Sequence, residues 1–424
     1  MLTHFVKSFI NAGLWYIAPM RLLFIADGRS PTTLSWLGHW TGSGHETHLI
    51  STFPCDRPPG LSSFHVLPVA FAGMAAQQTR GTAPKHSHGL VKRFRTTLRP
   101  LRYVLGPLSL PLHRRRFRAL VDEIHPELVH SLRIPFEGML ATVTPGSIPL
   151  VVSTWGNDLT LHAHGSPLMK ILTRRTLSRC DGLITDADRD IRLGFSMGFS
   201  SDKPTLVVPG AGGIHVDEIE AVSSIQPFPE DLPNGPIVVN ARGQRPGSLR
   251  QDIFFQSIPL VLEKVPQALF VCPLLIGDPE SVYWVETLGI GAHTKLWPPL
   301  NQAQLWGLYK RSLLYVSPSL HDGIPNSLLE AMASGCFPVV GNIESMQEWI
   351  IPGENGLLVD ATSPRSLADG IITALESPDL RLKAKLKNAQ IIAERADYNR
   401  CMTMVEAFYR KIADLFDPAE NHPV

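Results

Sequence analysis

Short apolar runs alternate with longer amphipathic segments along the first half of the chain. The runs at 21–26, 128–131, 149–153, 182–185 and 205–208 are rich in Leu, Ile and Val, and a polar residue, glycine or proline follows each closely. Parallel strands buried on both faces have this composition, because helices cover both sides of their sheet. The alternation predicts a doubly wound α/β domain, in which ligands bind at the carboxyl ends of the strands.

The same alternation recurs in the second half, after a proline-bearing stretch at 214–235 that we interpret as a linker. Further strands are predicted at 236–240, 269–273, 294–297, 313–317, 337–340 and 357–359. The pattern therefore divides the chain into an N-terminal extension (1–19), a first α/β domain (20–214), a second α/β domain (215–394) and a C-terminal helical segment (395–424).

Composition agrees with two globular domains. A chain of 424 residues with 44% hydrophobic and 18% charged residues can build two good cores. Its five cysteines are widely spaced without a Cys-x-x-Cys pair, which predicts a reducing cytosol and neither a disulfide framework nor a metal site. No run reaches the ~20 apolar residues that cross a bilayer.

Two segments are open to more than one interpretation. Residues 1–19 have three interpretations: a spurious extension upstream of a true start at Met20, a flexible tail, or an interfacial anchor. We favour the first. Residues 85–118 carry ten Lys or Arg and no Asp or Glu. This basic stretch predicts either a solvated surface or a face for anionic lipid. Nucleic acid is the weakest alternative, because no recognised nucleic-acid module accompanies the charge.

The segment 322–340 carries the most specific chemistry. Asp322 ends a loop, a turn with Gly323 and Pro325 opens a helix, and Glu330 follows within that helix. Free amides at a helix start attract phosphate, and carboxylates accept hydrogen bonds from hydroxyl groups. These residues predict a binding site for a sugar nucleotide. Ser327 and Glu330 also have the spacing of a capping box, which is the structural alternative.

A second candidate lies where the first strand of the second domain ends. Arg242 follows the strand at 236–240, beside glycines and ahead of a helix that begins near Gln251. A guanidinium and a helix N-terminus both favour an anion, so this loop suits a diphosphate. The alternative is a surface arginine pair.

The block from Asp322 to Glu330 resembles the Glu-x7-Glu motif of the retaining glycosyltransferases of family four, also described as glycosyl transferases group 1. This resemblance implies the GT-B fold, in which two Rossmann-like domains face each other across a cleft and the last helix returns to the first domain. In this family the second acid holds the ribose, a role that falls on Glu330, and the first acid, here Asp322 in place of Glu, faces the donor sugar. The backbone of the intervening loop would face the sugar and diphosphate through Gly323, Ile324, Pro325, Asn326, Ser327 and Leu328.

The resemblance extends to other strand ends. Relatives pair Arg242 with a lysine; here Arg245 or Arg250 would substitute, and the sequence does not choose between them. Trp297 stands where relatives hold the nucleotide base. In the first domain, Gly28 and Ser30 resemble the acceptor-side loop.

Asp158 and His162 follow the strand at 149–153 and resemble a loop that faces the cleft near acceptor and donor sugar. Asp158 would be a catalytic residue with Asp322 and Arg242, or else a helix cap.

The implied activity is retaining transfer of a sugar from a nucleoside-diphosphate donor to a glycan or a lipid-linked acceptor, without cofactor or metal. The setting would be cell-surface polysaccharide or glycolipid synthesis, in the cytoplasm and at the inner face of the plasma membrane. Two alternatives remain open, a sugar-nucleotide epimerase and a sugar-nucleotide-binding protein without catalysis.

Overall fold

The computed structural model describes residues 18–69, 102–232 and 235–416. The predictions for residues 1–17 and for the basic residues at 85–101 lie outside these ranges. Two parallel sheets, each covered by helices on both faces, form the described part of the chain. The predicted doubly wound α/β organisation is therefore confirmed.

The first sheet has seven parallel strands in the order β3-β2-β1-β4-β5-β6-β7. The strands are β1 (Arg21–Ala26), β2 (Glu46–Ser51), β3 (Ser63–Val66), β4 (Leu128–Ser131), β5 (Leu150–Ser153), β6 (Gly182–Thr185) and β7 (Thr205–Val207). The strand order reverses between β1 and β4, and a crevice forms at such a reversal.

Helices and helical turns cover this sheet. They span 102–105, Pro31–Gly42, Gly106–Ser109, Leu110–Ile124, Ile134–Gly138, Met139–Ala141, Asp158–His162, Pro167–Arg179 and Asp188–Ser196. Most of them contribute an apolar side to the core, as Phe117 and Val121 do for Leu110–Ile124.

The second sheet has six parallel strands in the order β10-β9-β8-β11-β12-β13. The strands are β8 (Ile237–Val239), β9 (Leu269–Cys272), β10 (Thr294–Leu296), β11 (Leu314–Ser317), β12 (Phe337–Gly341) and β13 (Leu357–Val359). The helices are Val216–Ala221, Gln251–Leu262, Pro279–Thr287, Gln302–Arg311, Asn326–Ala333, Glu344–Gln347, Pro364–Glu376 and Pro378–Arg395. The strand order reverses between β8 and β11.

The linker interpretation needs a correction, because Val216–Ala221 is helical within the stretch at 214–235. Its prolines begin only at Pro227, so nothing in the preceding residues breaks a helix.

The last helix, Tyr398–Asp414, packs on the first sheet and belongs to its core. The Tyr409 ring stacks on Trp40 with ring centres 4.8 Å apart, and the Trp36 indole N–H donates to the Tyr409 hydroxyl at 3.2 Å. The chain thus enters the second domain and comes back to the first. Within the described residues, no helix combines the length and apolarity that a bilayer crossing requires.

Candidate functional site

Arg242 and Asp322 meet at the strand reversal of the second sheet, since one follows β8 and the other follows β11. Arg242 Nη1 donates to Asp322 Oδ2 at 2.7 Å, and Ser319 Oγ donates to the same oxygen at 3.3 Å. Both charged residues are 7% exposed. The other oxygen, Oδ1, faces the first domain, where a Cβ built on Gly156 would lie 3.5 Å from it.

The loop after Asp322 presents unused backbone donors. Among the described residues, no hydrogen bond satisfies the amides of Gly323, Ile324, Asn326 and Ser327. Buried or half-buried N–H groups usually have a partner, and the first amides of a helix carry partial positive charge. The loop therefore presents four amide donors, unpaired within the described residues, at the start of a helix.

The capping-box alternative does not hold in the structure. The helix Asn326–Ala333 starts after Pro325 and has no side-chain cap. The Ser327 hydroxyl instead hydrogen-bonds the Tyr315 hydroxyl at 2.9 Å, because the Tyr315 ring rises from β11 beneath the helix. Glu330 accepts a hydrogen bond from the Gln302 amide at 2.9 Å.

Glu330 is a half-buried carboxyl group on an otherwise apolar helix. Burial raises the pKa of Glu330 to about 7, against the opposing effect of the Gln302 amide. No cation pairs with it among the described residues. A carboxyl group in this state gains from hydroxyl donors that would stabilise its charged form.

The structure separates the two arginines that sequence reasoning left open. Arg250 is held by Asp252 through two hydrogen bonds of 2.8 and 2.6 Å. Arg245 lies beside Arg242, and the charge of Arg242 lowers the pKa of Arg245. The only described hydrogen bond of the Arg245 side chain is a long one, 3.4 Å, to the Arg242 carbonyl. Arg245 thus adds positive charge next to Arg242.

Trp297 is placed in the core of the second domain. Its side chain is 2% exposed, and its indole N–H donates to Glu230 at 2.7 Å. Its backbone N–H donates to the Cys272 carbonyl and its carbonyl accepts from Ile276. The side chain and both backbone groups of Trp297 are thus paired within the protein, one residue after β10 ends at Leu296.

Asp158 joins two loops of the first domain. It is 1% exposed and accepts hydrogen bonds from Arg133 Nη2 at 2.6 Å and from the amides of Ile134 and Trp155, both at 3.2 Å. The loop after β4 is thereby tied to the loop after β5. The carboxylate does not cap the helical turn that it begins, which was the structural alternative.

The remaining predicted acceptor-side residues lie around the strand reversal of the first sheet. The Gly28 amide donates to Ser51 Oγ at 3.1 Å, and a Cβ at Gly28 would lie 2.7 Å from Cys55 Sγ. Ser30 is the N-cap residue of Pro31–Gly42 without a side-chain bond. His162 Nδ1 lies 2.6 Å from the Tyr103 hydroxyl. These residues shape the cleft wall.

Sequence reasoning missed Asp186 and Asp190, although Asp186 directly follows β6. The two carboxyl groups are buried and hydrogen-bonded to each other, and Arg189 binds Asp190. Burial raises the pKa of Asp186 well above its ordinary value, and Asp190 raises it further. The Asp186 carboxyl group packs against Gly323 and leaves no room for a side chain there.

The expectation that no metal binds overlooked two Asp-x-Asp spacings in the stretch from Asp186 to Asp190. In the structure Asp188 is the first residue of a helix, whereas Asp186 and Asp190 pair with each other. Within the described ranges, no three His, Cys, Asp or Glu residues are grouped to hold a metal ion.

Contacts between the domains centre on the helix Asp188–Ser196. Glu348 of the second domain accepts hydrogen bonds from the amides of Asp188 and Arg189, both at 2.9 Å. Arg189 also donates to the Asp322 carbonyl at 2.7 Å. Arg192 pairs with Glu344. The second domain thus caps a helix of the first, next to the candidate site.

Part of the chain matches a known protein family. Residues 238–391 match the family model for glycosyl transferases group 1. D-inositol 3-phosphate glycosyltransferase from Corynebacterium glutamicum is 27% identical over 140 residues, which cover 30% of this chain and 34% of that protein. The chain therefore spans about a third of the length of this relative.

Solved structures resemble the whole molecule. Sucrose-phosphate synthase from Thermosynechococcus elongatus matches with a TM-score of 0.67 at 14% identity, over 93% of this chain and 100% of that one. Anabaena HepE in complex with UDP matches with a TM-score of 0.66 at 15% identity, over 92% and 100%. Residues 238–391 thus match the glycosyl transferases group 1 model, and the two sheets of the chain form the GT-B fold.

Proposed function

We propose that this chain transfers a sugar from a nucleoside-diphosphate donor to an acceptor, with retention at the anomeric carbon. One observation carries the proposal: the unused amides from Gly323 to Ser327 lie between Arg242 and Glu330, at the strand reversal of the second sheet. Anion donors on one side and a hydroxyl acceptor on the other match the two ends of a ribose diphosphate. HepE, which shares the fold, was solved with UDP.

Each part of the donor has a partner in this arrangement. Arg242, Arg245 and the loop amides bind the diphosphate, and Glu330 accepts hydrogen bonds from the ribose hydroxyls. Asp322, fixed through Oδ2 by Arg242, turns Oδ1 toward the first domain and orients the donor sugar. Asp158, whose carboxylate is taken up by protein donors, positions the acceptor-side loops.

The reaction breaks the bond between the anomeric carbon and the diphosphate oxygen. Negative charge develops on the departing diphosphate and positive charge on the sugar. Preorganised donors stabilise such charges without reorganising. Arg242, Arg245 and the amides supply this stabilisation for the diphosphate, and on this proposal no metal or cofactor is required. We assign no protein nucleophile.

The acceptor is a glycan or a lipid-linked glycan, made for the cell surface, and the enzyme works at the cytoplasmic face of the membrane. The helix Leu110–Ile124 supports this part of the proposal. The Leu112 side chain on it is 81% exposed, near the exposed Arg115, Arg116 and Arg118. Apolar and cationic side chains together bind anionic lipid surfaces. Sedimentation with anionic vesicles in low salt, compared with neutral vesicles, tests it; no binding would remove the membrane from the proposal.

A panel of labelled nucleotide sugars tests the activity itself. We expect release of nucleoside diphosphate that depends on acceptor, and a product with the donor's anomeric configuration by NMR. Formation of an epimer without acceptor would indicate an epimerase. Binding without any turnover would indicate a binding protein. Either result would contradict transfer.

A further inference from the structure

Arg102 lies over two aromatic rings at the cleft edge of the first sheet. Its guanidinium carbon is 4.9 Å from the centre of the Phe136 ring and 5.8 Å from the centre of the Phe53 ring. Arg29 lies 4.0 Å from the centre of the same Phe53 ring. Arg29, Phe53 and Phe136 follow β1, β2 and β4, so these groups surround the strand reversal where a ligand binds.

The positive charges of this cluster are unequally balanced. Asp27 binds Arg29 through hydrogen bonds of 3.0 and 2.9 Å, and Asp158 binds Arg133 at 2.6 Å. Arg102 has neither a hydrogen bond nor an ion pair with any residue in the described ranges. A guanidinium whose donors are not used by the protein has the geometry and charge to bind a phosphate or carboxylate.

Glu137 attracts Arg102 electrostatically but does not bind it directly. Glu137 is 3% exposed and accepts a hydrogen bond from the Thr52 hydroxyl at 2.7 Å. Burial raises the pKa of Glu137, which disfavours its charged form. No salt bridge joins Glu137 to Arg102 within the described part of the chain.

Backbone strain and side-chain bonds fix the cluster. Phe136 has φ 68° and ψ −53°, a conformation that costs about 1–3 kcal/mol in a residue other than glycine and persists at functional sites. Next to Arg102, Tyr103 is anchored on the first domain: Ser166 Oγ donates to its carbonyl at 2.8 Å, and its hydroxyl lies 2.6 Å from His162 Nδ1. Arg102 is therefore presented by a fixed backbone.

We propose that Arg102, over Phe53 and Phe136, binds a phosphate group carried by the acceptor. The cluster reaches the donor side through Asp158, which bonds both Arg133 and the Trp155 amide, next to Gly156 and its contact with Asp322. An acceptor held by its phosphate at Arg102 would direct its remaining hydroxyls toward the contact between Gly156 and Asp322. This inference names the acceptor class and rests on the proposed function.

Calorimetric titration with inorganic phosphate tests the site in the full chain. We compare the wild type, Arg102→Gln and the control Arg365→Gln, which alters an exposed arginine of the second domain that pairs with Asp369 at 3.7 Å. The donor site is intact in all three proteins, so a difference reports on Arg102. We expect Arg102→Gln to bind phosphate about tenfold more weakly at one site, since it loses a charge-assisted fork, while Arg365→Gln matches the wild type. Equal isotherms, or no phosphate binding to the wild type, would overturn the inference.

Two further measurements separate this inference from the proposed function. The affinity of Arg102→Gln for a nucleoside diphosphate should equal that of the wild type. If neither the wild type nor the variants bind a nucleoside diphosphate, the proposed donor site is wrong, but the phosphate result at Arg102 still stands. Arg102→Lys, which keeps the charge but not the fork, should bind phosphate with intermediate affinity. Matching thermal melts show that each variant folds.

The phosphate could belong to a soluble sugar phosphate or to a lipid. Glucose 6-phosphate serves as the soluble probe, and phosphatidylcholine vesicles with and without phosphatidic acid as the lipid probe. Binding that Arg102→Gln weakens identifies the source and supports the inference. If the substitution alters binding to neither probe, Arg102 is not a phosphate-binding residue, and vesicle binding belongs to the basic helix Leu110–Ile124.

Discussion

Arg242 and Asp322 form a buried ion pair, 2.7 Å from Nη1 to Oδ2, that joins the two loops at the strand reversal of the second sheet. Removing one partner leaves a buried charge uncompensated, at about 3–5 kcal/mol. We therefore expect Asp322→Ala to lower the free energy of unfolding by that amount and to abolish sugar transfer. Denaturant titration and a transfer assay measure the two effects.

A double variant separates stability from function at this pair. Replacing both partners by apolar residues, as in Arg242→Met with Asp322→Leu, removes both charges and should recover most of the stability. Transfer should stay absent, because diphosphate and sugar lose their partners. Activity in the stable double variant would show that the pair is structural only.

Arg245 and Arg250 form a matched pair of substitutions. Arg245→Ala removes a guanidinium beside Arg242, and we expect nucleoside-diphosphate affinity to fall about tenfold or more, as for loss of a charge-assisted contact. Arg250→Ala removes an arginine that Asp252 already holds and should leave affinity within about twofold. Calorimetry decides between them, and the opposite ranking would exchange their roles.

Donor binding should depend on pH through Glu330. With its pKa raised to about 7, this group is largely protonated at pH 6 and charged at pH 8. The charged form accepts ribose hydroxyls better, so affinity for a nucleotide sugar should rise as pH increases through 7. Glu330→Gln should give weaker affinity and a flat profile. A nucleotide sugar is the proper ligand, because the terminal phosphate of a free diphosphate titrates near pH 6 itself.

Stability should fall in acid because of His130. Burial lowers the pKa of His130 from 6.5 to about 3, and its ring bonds the hydroxyls of Ser153 and Tyr409. A group with a lowered pKa in the folded state stabilises the protein above pH 6.5, and this contribution is lost as pH falls toward 3. The full loss is about 4–5 kcal/mol. In urea titrations from pH 7 to pH 4, His130→Gln should show a shallower decline than the wild type; parallel declines would exclude His130.

Closure of the domains should depend on Glu348. Its carboxylate caps the helix Asp188–Ser196 from the other domain, an interaction worth about 1 kcal/mol. Glu348→Ala should increase the radius of gyration in X-ray scattering and reduce turnover. The control Glu344→Ala, which loses only an exposed pair with Arg192, should leave both unchanged. An equal radius of gyration in the two variants would show that Glu348 does not hold the two domains together.

The sheets and the loop after Asp322 could be predicted from local sequence, because strand composition identifies the strands and ligands bind at strand ends where the strand order reverses. That rule brings Arg242 and Asp322 together although 80 residues separate them. Trp297 shows the limit of the pattern: an apolar residue at a strand end fits the core and the cleft equally well. The side chain turns to Glu230, a partner from outside the strand.

Contacts between distant segments could not be predicted in this way. Ser327 hydrogen-bonds the Tyr315 hydroxyl and does not form a capping box. This contact depends on the Tyr315 ring, which extends from β11 to the helix that carries Ser327. Glu348 and the helix Asp188–Ser196 meet only because the two domains dock in one orientation, which no local pattern encodes. Asp186, in contrast, lies at the end of β6, and the strand-end rule applied there would have found it.

The most direct test is a structure of the chain with the nucleotide sugar that gives the largest thermal shift. We predict diphosphate oxygens about 3 Å from the amides between Gly323 and Leu328, Arg242 and Arg245 against the same phosphates, and ribose hydroxyls on Glu330. A nucleotide bound elsewhere, with those amides turned to protein acceptors, would contradict the account.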